Sequence, residues 1–125
     1  MESKYVRYLC LLLPLFLFSE ESFISHYEYG EMLYNSPRGV SCEECHGKSG
    51  EGKIIVTYQD IHGKEAIKGA DIRRKTLDEM LKSVSTYHKV MPRYYLTDKE
   101  VEAIYDYLKV KNQKYLDTLD NNQSK

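Results

Sequence analysis

Five consecutive residues, Cys42-Glu43-Glu44-Cys45-His46, hold the side chains best suited to chemistry. Residues three apart on a helical turn share a face, so both thiols point one way and the imidazole follows directly. Such a pair can form a redox disulfide, half of a zinc site, or two thioethers to the vinyl groups on one porphyrin edge. A thioredoxin-like pair would sit within a βαβ pattern, which the flanking sequence lacks. A zinc site would call for a second cysteine pair, and the only other cysteine is Cys10. C-x-x-C-H is the spacing of covalent haem attachment. It predicts one haem c (iron) per chain, bonded to Cys42 and Cys45, with His46 delivered to the iron from one side.

The rest of the chain must place this motif and cover the cofactor. With 125 residues and 30% charged side chains, it has the size and balance of one globular domain. A formal net charge of −1 gives no sign of a nucleic-acid binder. Lys4 and Arg7 precede an apolar run from Tyr8 to Phe18, and polarity returns at Glu20 and Glu21 after Ser19. That order is the order of a secretory signal, and the run is about half the ~20 residues that span a bilayer. The expected division is a signal peptide over 1–19, a domain over 20–120 and a polar tail over 121–125. Cys10 would leave with the signal. Leu17 is a poor cleavage-site residue, so an uncleaved membrane anchor is the alternative. Export agrees with the motif, because haem of this type is attached outside the cytoplasm. The expected location is periplasmic or exported, and membrane-associated if the signal stays.

Within the domain, Phe23 to Tyr34 reads as a helix, broken by Asn35, Ser36, Pro37 and Gly39. Ser41 to His46 reads as a short helical turn, and Gly47, Gly50 and Gly52 mark a loop. The β-branched run Ile54-Ile55-Val56-Thr57-Tyr58 has strand character. No partner strand is evident, and the run is expected to be an extended loop on the core. Thr76 and Glu79 have capping-box spacing, as do Thr97 and Glu100. Leu77, Met80, Leu81 and Val84 form the buried face of one helix, and Val101, Ile104, Tyr105 and Leu108 that of the last. Tyr115 and Leu119 continue the last stripe. The expected architecture is all-α.

Taken together, these features resemble a class I c-type cytochrome over most of the chain after the signal. Gly30 and Tyr34 stand where that family has its Gly-x-x-x-aromatic pair. Cys42 to Gly47 is the attachment motif with its trailing glycine, Met91-Pro92 matches the methionine ligand, and Ile104, Tyr107 and Leu108 match the last helix. The resemblance implies a small cytochrome c fold of three to four short helices and long loops around one covalently bound haem. It also implies that the last helix crosses the first at Gly30. Two departures stand out. No proline follows Gly47 to orient the histidine, and a carbonyl within Lys53–Val56 is expected to do so. The segment Ser85 to Val90 lacks the usual glycine.

The resemblance implies Met91 as the second axial ligand, with His88 as the alternative. Met80 and Met32 are expected in the core, and His26 and His62 on the surface. His/Met ligation raises the potential and fills both axial positions, which implies an electron-transfer protein rather than an enzyme. The implied function is a monohaem carrier of single electrons between periplasmic or membrane respiratory partners. The alternatives are a haem-c subunit anchored in a larger respiratory complex, and a haem sensor or peroxidase-like protein with an open sixth site. Charge is uneven: Glu20 to His46 sums to −5 and Gly47 to Tyr95 to +4. In this family the second stretch rims the haem edge, so Lys48, Lys53, Lys89 and Arg93 would steer an acidic redox partner. Tyr94 and Tyr95 are candidates to hydrogen-bond a haem propionate.

Overall fold

The computed structural model describes residues 23–123. The signal segment 1–19 lies outside the described residues. Helix α1 spans His26–Asn35. It starts later than Phe23 because Ser25 and Glu28 close a capping box: Ser25 Oγ accepts from the Glu28 N–H, and the Glu28 carboxylate accepts from the Ser25 N–H at 2.9 Å. Helix α2 is the short motif turn Cys42–His46. Helix α3 spans Leu77–Ser85 and helix α4 spans Asp98–Lys111, each with its expected box, Thr76–Glu79 and Thr97–Glu100.

The all-α expectation needs correction. Strand β1, Ile54–Asp60, pairs antiparallel with strand β2, Gly63–Lys68. Its pairs run from Ile54 opposite Lys68 to Asp60 opposite Gly63, with an irregularity between Ile54 and Val56. Gly-Lys-Glu-Ala-Ile-Lys has little strand propensity of its own. Turn chemistry places it instead: the Asp60 carboxylate accepts from the His62 N–H at 2.7 Å, and Gly63 adopts φ +123°. All seven β1 residues are exposed.

The helices also outnumber the expected three to four, since the described residues hold five. The stripe that was to continue through Tyr115 and Leu119 breaks at Asn112, where α5, Gln113–Gln123, begins. Asn112 is buried and ties the break to the motif loop, its amide donating to the Ser49 carbonyl at 2.7 Å and to Leu108 at 2.8 Å. Asn121 to Gln123 therefore lie in a helix.

The core forms where α1 crosses α4. Leu33 and Tyr34 from α1 pack with Val101, Ala103, Ile104, Tyr107 and Leu108 from α4, joined by Met80 of α3. A Cβ at Gly30 would stand 2.1 Å from the Ala103 carbonyl oxygen, so only glycine allows this approach. Met32 points away from the core and is 48% exposed, contrary to expectation. The link after α1 is pinned by Arg38, at φ 60°, whose guanidinium donates to both Glu100 carboxylate oxygens at 2.7 and 2.9 Å and to the Tyr95 carbonyl at 3.1 Å.

Candidate cofactor site

Ser41 caps α2 by accepting from the Glu43 N–H at 3.2 Å. The far end is held by the buried Tyr34, whose hydroxyl donates to the Gly47 carbonyl at 2.6 Å. So fixed, Cys42, Cys45 and His46 all line one cavity of about 420 Å³, within the usual range of cofactor pockets, about 300–1,000 Å³. Its remaining wall is largely apolar, with Met80, Val84, Met91, Leu96, Val101 and Ile104 among the lining side chains.

His46 has a defined tautomer. Its Nδ1 lies 2.7 Å from the carbonyl oxygen of Ala70. A carbonyl only accepts, so Nδ1 must carry a proton, and in the neutral ring Nε2 then keeps its lone pair. The acceptor is thus Ala70 and not a carbonyl within Lys53–Val56. The hairpin explains the change, because β1 leads away from the motif and β2 brings the chain back to it. The Lys53 N–H donates to the Cys45 carbonyl at 3.2 Å, and the Gly69 N–H donates to Lys53 at 2.9 Å. A Cβ at Gly69 would stand 1.7 Å from the Cys45 carbonyl oxygen, so the return strand lies directly on the motif backbone. Sequence reasoning missed Gly69 and Ala70. The signal was a glycine at the end of a polar segment, a mark of close backbone approach.

Burial, aided by the neighbouring Cys45, pushes the Cys42 thiol up to about 11. A thiol held protonated at neutral pH is a poor thiolate nucleophile. Among the described residues no group of three or more His, Cys, Asp or Glu side chains could hold a metal ion.

Both candidates for the opposite ligand reach the same cavity. Met91 is half-buried on its wall. His88 is exposed, and its Nε2 is engaged with the Ser83 carbonyl at 2.9 Å. His26 pairs with Asp106 at 2.9 Å, His62 is exposed in the hairpin turn, and neither lines the cavity. Met80 is buried and also touches the cavity. Tyr94 is buried on the wall with its hydroxyl donated to the Val40 carbonyl at 2.7 Å, whereas Tyr95 is 82% exposed. Three lysines, Lys68, Lys75 and Lys89, line the cavity, and no carboxylate does.

The family model for cytochrome c oxidase, cbb3-type, subunit III matches residues 26–108, from the first residue of α1 into α4. This is about two thirds of the chain, and the chain belongs to that family. No curated protein and no solved structure matches. The protein is therefore a c-type cytochrome whose cofactor is covalently bound haem c and whose chemistry is electron transfer. The residues present fit that group: two thiols at attachment spacing, an imidazole with a free Nε2 and an apolar cavity between them.

Proposed function

We propose that this cbb3-type subunit III family member is a monohaem electron carrier, holding its haem through Cys42 and Cys45 with His46 and Met91 as axial ligands. One observation carries the reading. His46, with Nδ1 locked to Ala70 and Nε2 without a partner among the described residues, lines the same cavity as Cys42 and Cys45. When bound, haem supplies a one-electron iron couple.

The chain's own contribution is ligation, burial and exclusion. The Nδ1–H···O bond to Ala70 fixes the imidazole ring and raises its basicity as a ligand. Met91 lines the cavity without a competing polar contact, and a thioether there favours the reduced iron. His88 would first have to leave the Ser83 carbonyl, which supports Met91 over it. With His46 and Met91 both holding the iron, the chain would leave no position on it for a substrate. The protein then passes electrons without transforming a molecule itself.

The family match favours a second setting for the same chemistry, a haem-c subunit passing electrons within a respiratory complex. Both settings place the domain on the periplasmic face. Among the described residues no helix is long and apolar enough to cross a membrane. The segment 1–19, left uncleaved, would be one means of attachment, and docking to a partner another. Lys48 and Arg93, both exposed beyond the cavity, support an acidic redox partner.

The test is haem staining after denaturing electrophoresis, with an intact mass. One haem per chain should stay attached through acid–organic extraction, and the Cys42→Ala, Cys45→Ala double variant should lose it. Haem that extracts from the wild-type chain would overturn the assignment.

A further inference from the structure

The cavity wall is unbalanced in charge. Lys68, at the end of β2, and Lys89, in the segment between α3 and α4, both line it. Neither ammonium group meets a carboxylate or any other partner among the described residues. Lys75 also lines the cavity, but its ammonium donates to Glu79 at 2.8 Å. The other polar groups on the wall are mostly engaged. The Tyr34 hydroxyl is bonded to Gly47, that of Tyr94 to Val40, His46 to Ala70 and His88 to Ser83. Apart from the thiols, the polar side chains on the wall with no partner among the described residues are the two lysines and Ser83.

Haem brings two propionate carboxylates into a site whose wall has no other anion. A carboxylate at an apolar wall is costly unless a cation and hydrogen-bond donors meet it. We propose that Lys68 and Lys89 are the cationic partners of the two haem propionates. This rests on the haem reading above. The lysines approach from two separate segments, the hairpin and the distal link, so the ion pairs would tie both to the cofactor. Tyr94, which the sequence offered for this role, has its hydroxyl donated elsewhere.

The experiment uses the holoprotein. Resonance Raman spectroscopy reads the propionate bending mode, which responds to hydrogen bonding at the carboxylate, and potentiometry reads the reduction potential. Lys68→Gln and Lys89→Gln should each shift the mode. Each should also lower the potential, because an unpaired propionate favours ferric iron. A tenfold change in the ferric-to-ferrous balance corresponds to about 59 mV for one electron. Lys64→Gln, on the hairpin but off the cavity wall, should change neither. Lys89→Arg, which keeps charge and donors, should preserve both, separating lost pairing from local misfolding. An unshifted mode in both Gln variants would overturn the proposal, as would an equal fall in potential for Lys64→Gln. A chain with no covalent haem would overturn the haem reading itself, and an intact haem spectrum with an unshifted mode overturns the lysine pairing alone.

Discussion

Replacing Gly69 by alanine tests whether the return strand positions the proximal histidine. The new Cβ would lie 1.7 Å from the Cys45 carbonyl oxygen, where ordinary contact begins at 3.4 Å. Both groups are backbone-bound, so no side-chain rotation relieves the overlap. The strand must retreat by about 1.7 Å, the difference between those distances. Ala70 is the next residue, and its carbonyl sits 2.7 Å from His46 Nδ1. Most of that retreat would carry the pair beyond ~3.5 Å, where a hydrogen bond no longer exists. Overpacking costs about 1–3 kcal/mol and the lost bond about 0.5–1.5 kcal/mol. The reduced freedom of the unfolded chain returns about 0.4–1 kcal/mol. A net loss near ~2 kcal/mol lowers Tm by about 8–16 °C in a domain of this size. The potential should rise, because an imidazole without its acceptor is a weaker donor to ferric iron. Thermal melts followed by Soret circular dichroism, with potentiometry, measure both. Gly39→Ala is the control, since its Cβ meets the Tyr94 ring at an ordinary 3.4 Å. A Gly69→Ala protein that melts with the wild type at an unchanged potential would refute the reasoning.

Met91→Ala should abolish the weak near-infrared band of oxidised iron–thioether ligation and lower the potential, whereas His88→Ala should leave the band in place; the reverse pattern transfers the ligand role to His88. The Arg38 guanidinium, with the Thr97 N–H, depresses the Glu100 carboxyl to about 2 from an ordinary 4.5. A depressed carboxylate stabilises the fold above the unfolded value, and that stability is lost as pH falls between those two limits. Arg38→Met should therefore lower stability at neutral pH and flatten its pH dependence across that window, read as urea midpoints in a pH series. Electron transfer to an acidic partner should slow with added salt, as the Debye length falls from about 30 Å at ~0.01 M to about 8 Å at ~0.15 M. Charge reversal at Lys48 or Arg93 should reduce the association rate in stopped flow with little change in potential, and a flat salt response would remove the acidic partner.

The motif and the helices that flank it were legible because their signals are local. Cys42, Cys45 and His46 are adjacent in sequence. Thr76–Glu79 and Thr97–Glu100 announce their own helices, and a crossing of the last helix over the first at Gly30 followed from the family pattern. Non-local relations were not legible. β2 has little strand propensity and owes its place to the Asp60–Gly63 turn and to pairing with β1. Without β2, the Ile54–Tyr58 run had no partner and the fold read as all-α. The same omission moved the histidine acceptor to the wrong segment, since only the hairpin brings Ala70 back to His46. Met32 misled because the α1 stripe has a loose period, and the Gly30 crossing decides which face is buried.

The hairpin also bears on how the protein behaves at high concentration. A sheet of two strands has two edges, each with a row of backbone donors and acceptors open to another chain. Along β1 that row carries Ile54, Ile55, Val56, Thr57 and Tyr58, a run without proline, glycine or charge, of the kind that stacks into intermolecular sheets. The chain blunts it locally: the irregularity between Ile54 and Val56 kinks the edge, Lys53 and Asp60 bracket the run, and Lys64, Glu65 and Lys68 place charge on the neighbouring strand. A haem-free chain, lacking the cofactor that would fill the cavity Ile55 lines, keeps the run with less to hold it in place. Self-association during production should therefore begin at this segment, and light scattering of haem-free against haem-loaded protein would follow it.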